Sequence, residues 1–137
     1  MPLIIVETNA SLDPAQKRSL AVKLTELFTK TLHTAAAHTH VQVTDNQFLS
    51  LGGNPESPAA VVTIKAAESS ISRDARKDLV AGISAALPQH LQCLSGDRIY
   101  MIFEEQPVQN FAVGDSIMTF NTMHTAKSVE NFAEVAP

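Results

Sequence analysis

Apolar and polar positions in the first half of the chain predict a strand, a helix and a second strand. Residues 3–8, LIIVET, are apolar and β-branched, which is typical of a buried strand. Asp13 stands before a proline, and apolar residues then recur at helical spacing as far as about Leu32. Residues 38–44, HTHVQVT, alternate with a period of two and predict a strand. One face of that strand would carry His38, His40 and Gln42.

The second half of the chain repeats this order of elements. Residues 59–66 and 98–104 are predicted strands, and Ser72 is the predicted N-cap of a helix between them. We therefore interpret residues 2–45 and 59–105 as two β-α-β pseudo-repeats. The predicted fold class is α+β, with duplicated β-α-β units forming a four-stranded sheet and two helices on one face.

The strands are apolar on both sides, so the second face of the predicted sheet also needs a cover. No third layer is apparent in the chain, and another copy of the subunit is the natural cover. The pattern therefore predicts an oligomer. We expect a single domain over residues 1–120, with a short extra strand within 106–120, followed by a polar C-terminal tail at 121–137.

Composition narrows the function classes. The 137 residues are 45% hydrophobic and 18% charged, which is ordinary for one globular domain. A net charge of −4 and few aromatic residues argue against nucleic-acid binding. A lone cysteine, Cys93, excludes an internal disulfide framework. Neither a secretory nor a transmembrane segment is recognisable, so we expect no membrane partner and a cytoplasmic location.

Pro2, directly after the initiator methionine, is the candidate reactive group. A strand can begin with proline because its first residue need not donate to the ladder, so a structural role stays open. Removal of Met1 would leave a secondary amine, and an apolar pocket or a nearby cation lowers the pKa of an α-amine from about 8. Such an amine can act as a general base or a nucleophile. If Met1 is retained, the nitrogen is an amide and cannot be a base.

Four stretches of the chain resemble the tautomerase superfamily, in its macrophage migration inhibitory factor and D-dopachrome tautomerase branch. They are MPLIIVETN, DNQFLSLGGNPESPAA, GDRIYMIFEE and VGDSIMTF, and together they extend over residues 2–120. The resemblance implies a β-α-β-β-α-β subunit, a homotrimer and a site between neighbouring subunits. It also implies an N-terminal proline that is the acid/base of keto–enol tautomerisation on a small aromatic α-keto substrate. No cofactor is implied.

The resemblance also assigns site residues. Pro2 matches the catalytic proline, and Tyr100 matches a pocket tyrosine. Ala67 falls where a backbone N–H of the pocket is expected. Val113 matches an apolar wall residue, and Phe120 matches an aromatic residue at the rim of the pocket.

The family's polar groups are incomplete in this chain. Thr34 stands where a substrate-binding lysine usually follows the first helix, and Ile102 stands where a strand asparagine is expected. Carboxylate binding therefore lacks its usual cation. Lys65 is the nearest cation in sequence to the expected pocket, although an edge lysine in water is the alternative interpretation. His38 and His40 have no acid or cysteine at ligand spacing, so we expect no metal site.

Two further interpretations stay open. The missing lysine and asparagine favour a non-catalytic trimeric protein that binds a ligand or a protein partner. The chain could also be another enzyme of the superfamily, such as a decarboxylase or a 5-carboxymethyl-2-hydroxymuconate isomerase-like protein. In the catalytic interpretation, the partners are a small keto/enol substrate and two further copies of the chain.

Overall fold

The structure, a computed structural model, describes residues 2–119 and contains six strands and two α-helices in that range. Three-residue 3-10 turns precede β2 and β4 and follow β4. In chain order the elements are β1 (Leu3–Thr8), α1 (Pro14–Leu32), β2 (His40–Thr44), β3 (Ala60–Ala67), α2 (Arg73–His90), β4 (Ile99–Gln106), β5 (Ala112–Val113) and β6 (Ser116–Ile117).

The first four strands form one mixed sheet in the order β2-β1-β3-β4. Each β-α-β unit contributes a parallel pair, β1 with β2 and β3 with β4. The two units join through the antiparallel pairing of β1 with β3. The predicted fold class, α+β with a four-stranded sheet and two helices, is confirmed.

Local sequence fixes where both helices begin. The side chain of Asp13 accepts a hydrogen bond from the backbone N–H of Gln16 at 2.8 Å, and the Gln16 side chain accepts one from the Asp13 N–H at 2.8 Å. This reciprocal pair is a capping box, which satisfies two amides at the helix start. The hydroxyl of Ser72 accepts a hydrogen bond from the N–H of Ala75 at 3.1 Å and caps α2 without a reciprocal bond.

The core lies between the helices and one face of the sheet. Alternate residues of the central strands point towards the helices and are buried, as period-two alternation requires. Apolar side chains of α1 and α2 pack against them, which removes apolar area from water and stabilises the layer arrangement. The fully buried residues of this core include Ile4, Val6, Leu20, Leu24, Phe28, Val62, Ile64, Leu79, Ile83 and Leu87.

The predicted start of the second strand is wrong. β2 begins at His40, because Ala36–His38 forms a 3-10 turn in which the Thr39 N–H donates to the carbonyl of Ala36 at 3.0 Å. A three-residue turn is too short to leave its own periodicity, so its residues look like a continuation of the alternating strand. His38 and His40 therefore do not lie on one face of a strand.

Arg98 fixes the long loop between β2 and β3. Its guanidinium donates to four backbone carbonyls of that loop at 2.8–3.2 Å. Asn9 holds the loop from the other side, since its amide donates to the carbonyl of Ser57 at 2.9 Å and accepts from the N–H of Ala59 at 2.9 Å. The acceptors of Arg98 are the carbonyls of Leu51, Asn54, Ser57 and Pro58.

The extra strand expected within 106–120 is a short hairpin of β5 and β6. The N–H of Met118 donates to the carbonyl of Phe111 at 2.8 Å and closes the hairpin, and the Met118 side chain is buried. The division into a domain at 1–120 and a tail at 121–137 stays a prediction, because the tail lies outside the described residues.

Candidate functional site

Three rows of side chains cross the sheet face that the helices leave uncovered, which we call the open face. Residues in direct register on neighbouring strands point to the same side of a sheet. The register of β1 with β2 and β3, and of β3 with β4, therefore defines each row. In the order β2, β1, β3, β4, the rows are His40, Leu3, Lys65, Glu104; then Gln42, Ile5, Thr63, Ile102; then Thr44, Glu7, Val61, Tyr100.

A cleft of about 240 Å³ opens at the first of these rows. The β5 hairpin closes one side of it, and the three strands β1, β2 and β3 supply the other side. Most of the wall is apolar, and the Lys65 side chain contributes a cation. The lining residues are Leu3, His40, Lys65, Phe111, Ala112 and Val113.

Lys65 is only loosely engaged by its neighbour on β4. Its Nζ lies 3.9 Å from Oε2 of Glu104, and the two side chains are 42% and 46% exposed. An ion pair this long and this exposed to water contributes little to stability. The ammonium therefore remains able to turn towards an anion in the cleft.

Pro2 directly precedes Leu3, the first residue of β1, and is buried. Its carbonyl oxygen accepts a hydrogen bond from the backbone N–H of His40 at 3.0 Å, which ties it to the beginning of β2. The following residue, Leu3, lines the cleft. The predicted reactive position is thus adjacent to an apolar cleft that contains a lysine.

The structure places some of the other predicted site residues at the cleft and others away from it. Lys65 and Val113 line the cleft, and Ala67 ends β3 two residues beyond Lys65, where its carbonyl accepts from the N–H of Ser70 at 3.1 Å. Tyr100 is 59% exposed and lies in the third row, at the opposite end of the sheet. Phe120 lies outside the described residues.

The register separates Tyr100 from the cleft within one subunit. Tyr100 pairs with Val61, whereas Lys65 pairs with Leu3. Val61 and Lys65 are four positions apart on β3, which corresponds to roughly 13 Å along the strand. A single copy of the chain therefore does not bring Tyr100 to Pro2.

The structure also locates the two positions where the resemblance led us to expect a lysine and an asparagine. Thr34 follows His33, whose left-handed backbone (φ 53°) ends α1, and the Thr34 side chain is only 5% exposed. Ile102 lies in the middle row of the open face, opposite Thr63. Neither residue offers a charge to a ligand.

Sequence reasoning missed Phe111 and undervalued His40 as residues of the cleft. His40 was assigned correctly to a strand, but its position opposite Leu3 depends on the pairing of β1 with β2. Phe111 enters the cleft because the hairpin of β5 and β6 folds back over the sheet. The alternation of Phe111 and Val113 was the available signal, and it is too short to predict a fold-back.

The fold lowers the pKa of His38. Burial penalises the charged imidazolium and lowers the pKa below its ordinary value of 6.5, and the positive charge of nearby His40 acts in the same direction. The neutral ring is therefore favoured at pH 7.

Within residues 2–119, no group of three or more histidine, cysteine or acidic side chains is placed to hold a metal ion.

The helices of the described region are also too short or too polar for a bilayer: none could cross a membrane.

The sequence pattern of the family described as macrophage migration inhibitory factor (MIF) matches residues 1–119. A comparison with curated protein sequences finds no match.

Solved structures share the fold over most of the chain. The macrophage migration inhibitory factor of Toxoplasma gondii is 21% identical, with a TM-score of 0.77 over 85% of this chain and 99% of that one. A structure described as Pt0534 inactivated by 2-oxo-3-pentynoate is 13% identical, with a TM-score of 0.74 over 84% and 94%. Another, described as a Q0 fused 4-OT wild type symmetric trimer, is 15% identical, with a TM-score of 0.72 over 84% and 94%.

At these identities the solved structures establish the fold, and the family pattern, which covers nearly the whole chain, establishes the relationship. The chain belongs to the macrophage migration inhibitory factor family of the tautomerase superfamily.

Proposed function

We propose that the protein is a keto–enol tautomerase in which Pro2, freed of Met1, is the acid/base for a small aromatic α-keto substrate. The observation that carries this proposal is the position of Pro2. It directly precedes β1 and is the chain neighbour of Leu3, which lines an apolar cleft together with Lys65 and Val113. Membership of a family in which many proteins are tautomerases supports it.

The chemistry needs one base and a dry site. The neutral prolyl nitrogen would take the proton of the enol hydroxyl and deliver it to the neighbouring carbon, so that the ketone forms with no net change in protons. A base near neutral pH is efficient for such a transfer. The apolar walls around Phe111 and Val113 would limit water and strengthen electrostatic interactions inside the cleft. No metal or cofactor is required for this transfer.

We further propose that the working unit is a homotrimer, the usual assembly in this family. One solved structure with the same fold is described as a symmetric trimer. The open face carries Ile5 and Ile102 in its middle row, and these apolar side chains would gain from burial against other copies. In such an assembly Tyr100 of a neighbouring copy would complete the site beside Pro2.

The test is the ketonisation of phenylenolpyruvate by protein whose intact mass shows that Met1 is absent. We expect Pro2→Ala to lower kcat/KM by about 100-fold or more, the usual contribution of a general base. Pro14→Ala, at the first position of α1, is the matched control and should leave the rate unchanged. The proposal fails if Pro2→Ala keeps full activity or if the correctly trimmed protein has none.

A second candidate, a non-catalytic trimeric binding protein, is favoured by one observation. The cation and the amide expected from the family are replaced by Thr34 and Ile102, neither of which is charged. This candidate predicts saturable binding of phenylpyruvate, observed by NMR, without proton exchange at its methylene carbon. Deuterium incorporation at that carbon, dependent on Pro2, would eliminate it. The cytoplasmic location stays a prediction.

A further inference from the structure

We infer that Lys65, on β3, anchors the anionic group of the ligand in the cleft and so replaces the cation that is missing at Thr34, after α1. The inference builds on the proposed function, because it assigns the substrate-binding group of the same site. It does not require that the ligand be turned over.

The pairing of β1 with β3 fixes the position of Lys65 relative to Pro2. Lys65 is the register partner of Leu3, and Leu3 directly follows Pro2. Neighbouring strands are about 4.8 Å apart, so the lysine stem starts one strand away from the chain that carries the reactive position. An anion bound by Lys65 would therefore hold the rest of the ligand close to Pro2.

The surroundings of Lys65 favour a ligand with one charged end and one apolar end. The residues opposite the lysine are Phe111, Ala112 and Val113, which offer no charge. At about 240 Å³, the cleft is smaller than the pockets that hold drug-sized molecules, and it fits a single-ring compound. A carboxylate at Lys65 with a ring against Phe111 satisfies both ends.

Because Lys65 and Glu104 carry opposite charges, their removal should change the affinity for an acidic ligand in opposite directions. Glu104, at 3.9 Å, attracts the same ammonium and would compete with a bound carboxylate. Removal of the lysine should therefore weaken binding of an acid, whereas removal of Glu104 should strengthen it. His40, on the far side of Leu3, is the other ionisable group that lines the cleft within the described residues.

The experiment measures KM and kcat for phenylenolpyruvate and for its neutral methyl ester. We expect Lys65→Met to raise KM for the acid about tenfold, the effect of losing one charged hydrogen bond, with little change for the ester. Lys65→Arg should restore most of the affinity for the acid, and Glu104→Gln should lower its KM. Lys77→Met, on the exposed side of α2, removes one positive charge elsewhere and is the matched control.

Three results would overturn the role of Lys65 in ligand binding. Equal changes for acid and ester in Lys65→Met, or changes of the same sign in Lys65→Met and Glu104→Gln, would overturn the inference. A loss of acid binding in Lys77→Met as large as in Lys65→Met would do the same, because it would show a general charge effect.

A readout that does not depend on turnover separates this inference from the proposed function. Binding of phenylpyruvate is followed by calorimetry in the wild-type protein and in Lys65→Met. Binding that depends on Lys65, in a protein with no tautomerase activity, would reject the proposed function and keep the inference. Activity that depends on Pro2 but not on Lys65 would do the reverse.

Discussion

Pro2 and Tyr100 lie at opposite ends of the same sheet. Pro2 precedes Leu3, which pairs with Lys65, whereas Tyr100 pairs with Val61 at the other end of β3. A site that uses both residues must therefore be built from two copies of the chain. If both residues serve the reaction, activity depends on assembly of the proposed trimer.

Mixed oligomers of two inactive variants test the shared site. Pro2→Ala and Tyr100→Ala subunits, unfolded together at equal amounts and refolded, should regain activity that neither variant has alone. With random assembly, about one quarter of the sites would combine an intact Pro2 with an intact Tyr100 from the neighbouring copy, if each site joins two subunits. The measurement is kcat/KM of the mixture relative to wild type. Activity no greater than the average of the two variants would contradict a site that is shared between two copies of the chain.

Gly82 of α2 lies against Leu27 of α1. The effect of Gly82→Ala on stability should therefore change sign when Leu27 is removed. A Cβ atom at Gly82 would lie 2.5 Å from Cδ1 of Leu27, so the side chain would have to move. Overpacking of this kind costs about 1–3 kcal/mol, and the better helix propensity of alanine recovers about 1 kcal/mol. We expect Gly82→Ala to lower the free energy of unfolding by about 1 kcal/mol in urea titrations.

The Leu27→Ala background supplies the control for that contact. With the leucine side chain removed, the clash disappears and the helix-propensity gain remains. Gly82→Ala should then raise the free energy of unfolding by about 0.5–1 kcal/mol relative to Leu27→Ala alone. A destabilisation of the same size in both backgrounds would mean that the close approach is not its cause.

Arg98 should be worth more to stability than an ordinary surface arginine. Its guanidinium donates to four loop carbonyls. A hydrogen bond to a charged group contributes about 1.5–3 kcal/mol to the free energy of unfolding. These bonds share one donor group and do not add, so we expect Arg98→Ala to destabilise the fold by about 3 kcal/mol. Arg73→Ala, at the first position of α2, is the control and should change the urea midpoint little. Equal effects of the two changes would contradict the role of Arg98.

His38 predicts a loss of stability on mild acidification. Its pKa in the folded protein lies below the ordinary value of 6.5, so the unfolded chain binds more protons in this range. Stability contributed by the neutral ring is present above pH 6.5 and is lost as pH falls through 6.5 towards the folded pKa. NMR titration of the His38 ring should give a midpoint below 6.5. In urea titrations, His38→Gln should reduce the difference in stability between pH 7.5 and 5.5, and a midpoint at or above 6.5 would contradict the account.

Elements with a clear period could be predicted from the sequence. β1 and α1 have the predicted bounds because the apolar run LIIVET and the cap at Asp13 are strong local signals. The start of β2 was misplaced because the 3-10 turn Ala36–His38 contains no apolar periodicity. Local patterns thus predict long elements well and short turns poorly.

The site was harder to predict because it depends on register and fold-back. Lys65 was selected only as the nearest cation in sequence, and its pairing with Leu3 is what places it in the cleft. Phe111 was missed because a hairpin that folds over the sheet leaves no local signal. Tyr100 was matched through the family, but a single sequence does not say which copy of the chain would present it to Pro2.

The central claim is that Pro2 acts through a free amine, and one comparison tests it most directly. The same protein is prepared in two forms, one that begins at Pro2 and one that retains Met1, with both confirmed by intact mass. The rate of phenylenolpyruvate ketonisation is then measured for each. The account predicts activity in the form that begins at Pro2 and a loss of about 100-fold or more when Met1 is present. Equal rates in the two forms would contradict it, because an amide nitrogen cannot carry the proton.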